Sequence, residues 1–229
     1  MPQRFAIYYA PDVNDALWDR ATVWLGRDAD TAALVEGAVA GLERTRLLNL
    51  TQSAGRYGFH ATLKPPMALA EGRSEEHLRA ALEDFARVTR PVALGPLTIG
   101  DIDGFLALIP DGENPELQDL AGRIVDHFEP FRAPLDPRSR EARAQTGLSP
   151  RQLELLDAYG YPYVQDEFRF HMTLTDRLEG EDRSELYDSA RIWFGPVLET
   201  PMHLDRLVLF HEPDSGKPFR RIAEFAFKG

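Results

Sequence analysis

The sequence contains no cysteine. Disulfide bonds and thiolate metal sites are therefore excluded, and redox chemistry does not indicate a cellular compartment. Long apolar runs are also missing, because no stretch approaches the roughly 20 residues that span a bilayer. The N-terminal apolar stretch ends at Pro11 and is too short for a signal peptide. We therefore expect a soluble, cytoplasmic protein without a membrane partner.

Positive charge is scarce, since 26 Lys and Arg residues stand against 37 Asp and Glu residues, for a formal net charge of −11. Non-specific binding to a polyanion depends on many Lys and Arg contacts to phosphates. We therefore expect no stable nucleic-acid partner, and a role in joining RNA ends is disfavoured. A small phosphorylated ligand needs only a local cluster of cations. Nothing in the sequence indicates the oligomeric state.

One short motif occurs twice, as Phe59-His60-Ala61-Thr62-Leu63 and as Phe170-His171-Met172-Thr173-Leu174. Alternate side chains of a strand point to opposite faces of its sheet. The first copy therefore predicts that His60, Thr62 and Lys64 share one face. The second copy predicts the same for Arg169, His171, Thr173 and Thr175. Each strand then presents an imidazole beside a hydroxyl, while its other face is apolar and buried.

Capping residues and apolar periodicity predict helices at about 14–25, 74–89, 114–128, 149–160 and 183–193, with Gly195 and Pro196 ending the last one. Asn14 or Asp12 is expected to cap the first of these helices. A weak helix, a mobile segment or a loop over the site is expected over 31–42, and a long loop over 131–149. Strands are predicted at 5–10, 58–63, 92–99, 105–109, 168–175, 204–211 and 221–227. Pro65 and Pro66 are expected to end the second strand, because proline cannot donate a ladder hydrogen bond.

The order of these elements also repeats. Each motif strand is followed by a helix, by a Pro-Val step at 91–92 or 196–197, and then by a strand at 105–109 or 204–211. The repeat predicts an α+β fold of two pseudo-symmetric lobes, each an antiparallel sheet with outer helices, around a central cleft. Residues 1–229 are expected to form a single two-lobed domain, with His60 and His171 facing each other in the cleft.

Two histidines opposed across a phosphate can divide acid–base work between them. A neutral imidazole takes a proton from the attacking oxygen, and a protonated one gives a proton to the leaving oxygen. The hydroxyls of Thr62 and Thr173 can donate hydrogen bonds to the non-bridging phosphate oxygens. This scheme needs no metal, and the motifs offer no third ligand for a zinc site. We therefore expect neither a metal nor a cofactor.

Further candidates could hold an anionic substrate or form the walls of its pocket: Arg56, Lys64, Arg169, Tyr8, Tyr57 and Tyr163. A solvated strand edge also recruits basic residues, so substrate contact and plain solvent exposure stay open for the three cations. The tyrosines equally suit packing. The other histidines, His77, His127, His203 and His211, have no repeated partner and are expected to be structural or exposed.

Four arginines lie in the predicted 131–149 loop, namely Arg132, Arg138, Arg140 and Arg143. The plainer expectation is a solvated loop in which they pair with Asp136 and Glu141. The alternative is a basic lid that closes over a bound phosphate.

The paired motifs resemble those of the two-histidine (2H) phosphoesterase superfamily, which includes RNA 2′,5′-ligase-like and cyclic phosphodiesterase proteins. The stretches 56–66, 148–164 and 167–178 are more narrowly similar to an uncharacterised branch of that superfamily encoded near phosphonate-degradation genes. A single His-x-Thr triplet is weak support, but two copies in matching contexts are strong support.

The resemblance implies the RNA-ligase-like fold of that superfamily and catalytic roles for His60, Thr62, His171 and Thr173. It also implies a hydrolase that opens a small cyclic or strained phosphodiester of a nucleotide or a ribose phosphate, in phosphonate metabolism. A different class stays open, in which the cleft only binds a phosphorylated ligand and the protein is an accessory component of a phosphonate pathway.

Overall fold

The structure of the protein is a computed structural model that describes residues 3–39 and 41–229. Its strands are β1 (Arg4–Tyr9), β2 (Ala61–Met67), β3 (Val92–Gly95), β4 (Leu97–Ile102), β5 (Phe105–Pro110), β6 (Met172–Thr173), β7 (Met202–Leu204), β8 (Arg206–Glu212) and β9 (Arg220–Ala226). Its α-helices are α1 (Ala16–Leu25), α2 (Arg44–Leu50), α3 (Gln52–Tyr57), α4 (Glu75–Val88), α5 (Pro115–Phe128), α6 (Pro137–Ala144), α7 (Pro150–Tyr159) and α8 (Gly180–Leu198). Two short 3₁₀ helices lie at Glu129–Phe131 and Gln165–Glu167.

An antiparallel sheet of seven strands, in the order β4-β5-β6-β2-β1-β8-β9, forms the centre of the molecule. The α+β fold with antiparallel sheets and outer helices is confirmed. The two lobes are the half-sheets β2-β1-β8-β9 and β6-β5-β4, which join edge to edge where Ala61 of β2 pairs with Met172 of β6. The two motif strands are therefore neighbours in the middle of the sheet.

The duplication is visible in the strand pairing. The first unit is β1-α1-β2-α4-β3-β4, and the second is β5-α5-β6-α8-β7-β8. Each unit pairs its first strand with its motif strand, and β3 pairs with its counterpart β7 in a separate two-stranded sheet. The last strand of each unit pairs with the first strand of the other, as β4 with β5 and β8 with β1.

This arrangement corrects the predicted matching of strands 105–109 and 204–211. The Asp103-Gly104 turn joins β4 tightly to β5, and both of its residues have the positive φ that such a hairpin turn requires. The strand after this turn therefore opens the second unit, and β5 corresponds to β1. The true counterpart of β8 is β4.

Helix ends follow the capping residues closely. The Ser74 side chain accepts a hydrogen bond from the His77 N–H at the start of α4, and Asn114 and Ser149 cap α5 and α7 in the same way. Gly26 and Gly160 end α1 and α7 in the left-handed conformation. The predictions for these helices are confirmed, except that Asp15 caps α1.

Two helical predictions are wrong, and for a third segment, 31–42, a helix was only one of the alternatives. The expected 131–149 loop contains α6, which Asp136 caps. Helix α8 continues through Pro196, which removes the hydrogen bond to the carbonyl of Ile192, on the side of the helix where Ile192 is 67% exposed. Residues 31–39 form no helix, and the chain becomes helical only in α2. Ala40, within the predicted 31–42 segment, lies outside the described residues, as do Met1 and Pro2.

A bulge in β2 reverses the faces of part of the first motif strand. Thr62 pairs with Tyr8, but Lys64 pairs with Ile7, so two steps along β2 match one step along β1. Thr62 and Lys64 therefore lie on opposite faces of the sheet. The prediction that they share a face is wrong. A second register shift, between Phe5 and Ile7, accommodates Pro65 and Pro66, so the strand continues to Met67.

Within the described ranges, none of the helices combines the length and the apolar character needed to cross a membrane.

Candidate active site

The central pairing of β2 with β6 brings the two motifs together. The strands are antiparallel with Ala61 opposite Met172, so the register sets His60 opposite Thr173 and Thr62 opposite His171. Because Ala61 and Met172 point into the core, these four side chains share the other face. All four line one cleft of about 410 Å³. The predicted meeting of the two motifs in a cleft is what the structure shows.

Each histidine is held by the backbone two residues before it. Nδ1 of His60 lies 2.8 Å from the Gly58 carbonyl oxygen, and Nδ1 of His171 lies 2.7 Å from the Arg169 carbonyl oxygen. A carbonyl only accepts, so Nδ1 carries the proton in both rings and donates it. In the neutral rings Nε2 is then the acceptor. The Thr62 hydroxyl lies 3.3 Å from Nε2 of His60.

Aromatic rings fix both imidazoles from equivalent strands. Tyr8 of β1 stacks on His60 with ring centroids 3.7 Å apart and planes 18° from parallel. Phe105 of β5 packs against His171 with a centroid distance of 5.7 Å. The two-fold repeat therefore extends from the motifs to the residues that orient them.

Both imidazoles favour the neutral form in the free protein. Burial lowers the pKa of His60 to about 4, against the effect of the Gly58 carbonyl, and the neighbouring His171 lowers it further. Burial also lowers the pKa of His171, and the Arg169 cation acts in the same direction. A bound phosphate would oppose both effects, because an anion stabilises the protonated imidazole.

The predicted substrate-contacting residues separate into three groups. Tyr8 and Tyr57 line the cleft. Tyr163 and Arg169 line an adjoining cavity of about 290 Å³. Arg56 and Lys64 line neither of these two cavities.

Arg56 and Lys64 are instead held by carboxylates. Arg56 donates to Glu212 at 2.8 Å and lies over the Tyr57 ring at 4.4 Å. Lys64 is completely buried, donates to the Val125 carbonyl at 3.0 Å and pairs with Glu129 at 2.5 Å. The bulge in β2 explains why Lys64 reaches helix α5 rather than the cleft.

The adjoining cavity and the cleft form one continuous depression. They share Thr62, Phe105, Tyr161, His171 and Arg177. The adjoining cavity has Phe168 and Tyr163 in its wall together with Arg169, and Arg4 and Arg143 mark the guanidinium end of the cleft. The histidine pair therefore lies in a depression that has guanidinium groups in both of its parts.

Several lining residues were not predicted to contact substrate, namely Arg4, Arg143, Tyr161, Asp176 and Arg177. Arg143 was considered only as part of a possible lid. Arg4 precedes the first predicted strand and carries no local signal of its own. Asp176 has a structural task, because its carboxylate accepts from the backbone N–H groups of Ser53 and Ala54 at the start of α3.

The four loop arginines do not pair as predicted. Arg140 pairs with Asp157, Arg132 pairs with Glu129, and Asp136 is engaged in capping α6. The Arg143 guanidinium points into the cleft region and donates to the Gly160 carbonyl at 2.5 Å. Across residues 3–39 and 41–229, no group of three or more His, Cys, Asp or Glu side chains is arranged to hold a metal ion.

The sequence matches a family model described as "Protein of unknown function (DUF1045)" over residues 62–220, which is more than half of the chain. The match contains Thr62, His171 and Thr173 and begins two positions after His60. An uncharacterised family was expected from the sequence, and this match confirms it.

Two curated relatives are similar along nearly the whole chain, and both are named "Ribose 1,5-bisphosphate phosphokinase PhnN". The one from Janthinobacterium sp. (strain Marseille) is 36% identical over 232 residues, covering 99% of this chain and 51% of the relative. The one from Laribacter hongkongensis (strain HLHK9) is 37% identical over 223 residues, covering 95% of this chain and 50% of the relative. The chain thus spans about half the length of these relatives.

Among solved structures, one described as a phosphoesterase is 12% identical with a TM-score of 0.45, and E. coli LigT complexed with NADP+ is 11% identical with a TM-score of 0.43. Each comparison covers 100% of both chains. Both TM-scores lie below 0.5.

Proposed function

Since the chain belongs to the DUF1045 family, whose function is unknown, we propose from its own geometry that it is a metal-independent phosphoesterase. The proposed reaction is the hydrolysis of a small cyclic or strained phosphodiester of a nucleotide or a ribose phosphate. The observation that carries this proposal is the arrangement of His60, Thr62, His171 and Thr173 on one face of two paired strands.

Proton transfer in the proposed reaction runs through the two Nε2 atoms. One neutral imidazole takes a proton from water as the water oxygen forms a bond to phosphorus. The other imidazole, in its protonated form, gives a proton to the sugar oxygen as the phosphorus–oxygen bond to it breaks. The products are a phosphate monoester and a free hydroxyl. The histidines end in exchanged protonation states, and solvent resets them.

The threonine hydroxyls support this reaction from positions across the strand pair. Each lies opposite the histidine of the other motif, so a phosphate between the two imidazoles lies within reach of both hydroxyls. Donation to the non-bridging oxygens stabilises the charge that builds up on the phosphoryl group. The motif pair therefore provides a base, an acid and two hydrogen-bond donors.

Three features support a small substrate. A cleft of about 410 Å³ has the size of ordinary small-molecule sites, and the net charge of −11 disfavours a polyanion. The name of the curated relatives refers to a ribose bisphosphate, which favours a sugar phosphate. The resemblance to a branch encoded near phosphonate-degradation genes supports a role in phosphonate metabolism.

The test compares His60→Ala and His171→Ala with His203→Ala, a control at an exposed position outside the cleft. Ring opening of a 2′,3′-cyclic nucleotide is followed by phosphorus NMR. Loss of an acid–base group lowers turnover by roughly 10²- to 10⁴-fold, so we expect this loss in both site variants and unchanged turnover in the control. Turnover of the wild-type protein should persist in a chelator. Substantial activity in either site variant would refute the mechanism.

One observation favours a second candidate, a non-catalytic phosphate-binding protein. Burial lowers the pKa of both imidazoles, so the free protein holds no ready proton donor at neutral pH. Binding of cyclic phosphates without any ring opening, across pH 4 to 8, would support an accessory role and overturn the enzymatic proposal.

A further inference from the structure

The guanidinium end of the cleft is built differently from the rest of its wall. Arg4, Arg143, Tyr8, Tyr57 and Tyr161 all line the cleft there. Tyr8 and Tyr57 both lie near the His60 ring, with centroid distances of 3.7 and 6.3 Å. Arg143 donates to the carbonyl of Gly160, the residue before Tyr161. Two guanidinium groups and three phenol hydroxyls therefore meet in one place.

The Tyr8 hydroxyl is a donor at the wall of the cleft that no described residue uses. Tyr8 lines the cleft, and its hydroxyl makes no hydrogen bond to any of the described residues. Its ring stacks on His60, so this donor lies close to the histidine pair. A bound group with acceptor oxygens would satisfy it.

Positive charge is in excess at this end of the cleft. Glu212 is fully buried and neutralises both Arg4 at 2.5 Å and Arg56 at 2.8 Å. Arg143 forms no ion pair with the described residues, and its recorded partner is the Gly160 carbonyl at 2.5 Å. Two guanidinium groups thus share one carboxylate and Arg143 has none, in a protein whose net charge is −11.

These features fit a phosphate better than a neutral group. A phosphate monoester offers three terminal oxygens and up to two negative charges, and guanidinium groups bind it through paired N–H donors. Tyr8 pairs with Thr62, whereas Arg4 lies four residues earlier on β1, roughly 13 Å along the strand. An anion held by Arg4 is therefore separate from a phosphate between the imidazoles.

We propose that Arg4, Arg143 and the Tyr8 hydroxyl form a second phosphate subsite, so that the substrate carries a terminal phosphate monoester besides its cyclic phosphodiester. The substrate class is then a bisphosphorylated sugar or nucleotide with one strained ring. This inference rests on the proposed function, and it makes Arg143 a residue that determines specificity. The rival possibility is that these cations serve the reacting phosphate itself.

The kinetic test uses two substrates that differ by one group, a 2′,3′-cyclic nucleotide with and without a 5′-phosphate. One charge-assisted contact contributes about 1.5–3 kcal/mol, which is roughly a 10- to 100-fold preference. We expect the wild-type protein to prefer the 5′-phosphorylated substrate by about this factor. Arg143→Gln should remove most of the preference, chiefly by raising KM for that substrate.

Two further variants keep the test specific. Arg140→Gln removes a cation of the same helix that pairs with Asp157 at the surface, and we expect it to retain the preference. Tyr8→Phe keeps the aromatic ring that stacks on His60 but removes the hydroxyl. We expect this variant to show a smaller preference for the 5′-phosphorylated substrate. An equal fall in kcat/KM for both substrates in Arg143→Gln would overturn the second subsite and assign the cation to the reacting phosphate. A wild-type protein with no preference would also overturn it.

A binding measurement tests the second subsite independently of the proposed enzymatic activity. Calorimetric titration with ribose 5-phosphate and ribose 1,5-bisphosphate requires no turnover. Tighter binding of the bisphosphate that depends on Arg143 supports the subsite, even if no cyclic phosphate is opened and the enzymatic proposal fails. Equal affinities for the two ligands in wild type and Arg143→Gln would overturn the subsite, whether or not the protein is an enzyme.

Discussion

The pKa difference between the two histidines predicts their separate roles. The pKa of His60 is about 4, and that of His171 is lowered from 6.5. The group with the lower pKa stays neutral over a wider pH range and suits the base, so we assign the base to His60 and the acid to His171. The repeat alone would leave the two equivalent. The different burial of the two imidazoles breaks that symmetry.

The expected change of kcat/KM with pH follows from the protonated fractions of His60 and His171. The pH dependence of kcat/KM reports the free enzyme, so it should be bell-shaped, with its acid limb near pH 4 and its basic limb below pH 6.5. Because the pKa of His171 is lowered, at pH 7.5 less than about a tenth of it is protonated, and kcat/KM falls about tenfold for each further pH unit. The kcat profile should lie at higher pH, because bound phosphate raises both pKa values.

The bell shape alone does not distinguish acid from base, since exchanged protonation states give the same curve. The assay therefore uses single variants and a p-nitrophenyl phosphodiester, whose leaving group needs no proton. His171→Ala should retain most activity on this substrate, with a rate that rises through pH 4 and then stays level. His60→Ala should be inactive on it. NMR titration of the imidazole signals checks the pKa values directly.

The assignment would be refuted by the opposite result, in which His60→Ala is rescued by the good leaving group and His171→Ala is not. A pKa of His60 at or above the ordinary 6.5 in the free protein would remove its physical basis.

Three other substitutions test separate parts of the structure. Lys64→Met should lower the free energy of unfolding by about 1–3 kcal/mol, because it leaves the Val125 carbonyl without the Lys64 donor. It should leave kcat/KM unchanged. A large rise in KM would show that Lys64 contacts the substrate after all. Glu212→Gln should lower the free energy of unfolding by about 2–4 kcal/mol in urea denaturation. It should also raise KM, because Arg4 loses the ion pair that positions it. An unchanged KM would show that Arg4 is positioned without this ion pair. Thr62→Val should lower kcat by about 10²- to 10³-fold with no change in the thermal midpoint. A kcat equal to wild type would exclude the Thr62 hydroxyl from the reaction.

Local sequence signals determined the helices that carry their own caps. Ser74, Asn114 and Ser149 each satisfy a free N–H at a helix start, and this interaction depends on residues only two or three positions apart. Helix α8 was misjudged because it tolerates Pro196 where Ile192, four residues before the proline, lies on the exposed side of the helix. That orientation depends on how the helix packs, which a local pattern does not contain.

The candidate site also contains residues that the sequence predicted and residues whose position depends on tertiary structure. The two His-x-Thr motifs were found because the chain repeats them, and the repeat predicted that they meet. The face of Lys64 was misjudged because strand alternation assumes an unbroken ladder, and the bulge arises from the pairing of β2 with β1. The cluster of Arg4, Arg143 and Tyr161 combines residues from three distant segments, so no spacing in the sequence could reveal it.

The exchange of end strands between the two units has a consequence for how the protein folds as it is synthesised. Strand β1, which carries Arg4 and Tyr8, pairs with β8, so Arg4 meets Glu212 only after 208 further residues have been made. Contacts of such long range form slowly and leave strand edges open meanwhile. The anion-binding end of the cleft is therefore assembled among the last parts of the molecule. A nascent chain that stops before Arg206 holds both histidines but lacks the strand that anchors Arg4 beside them.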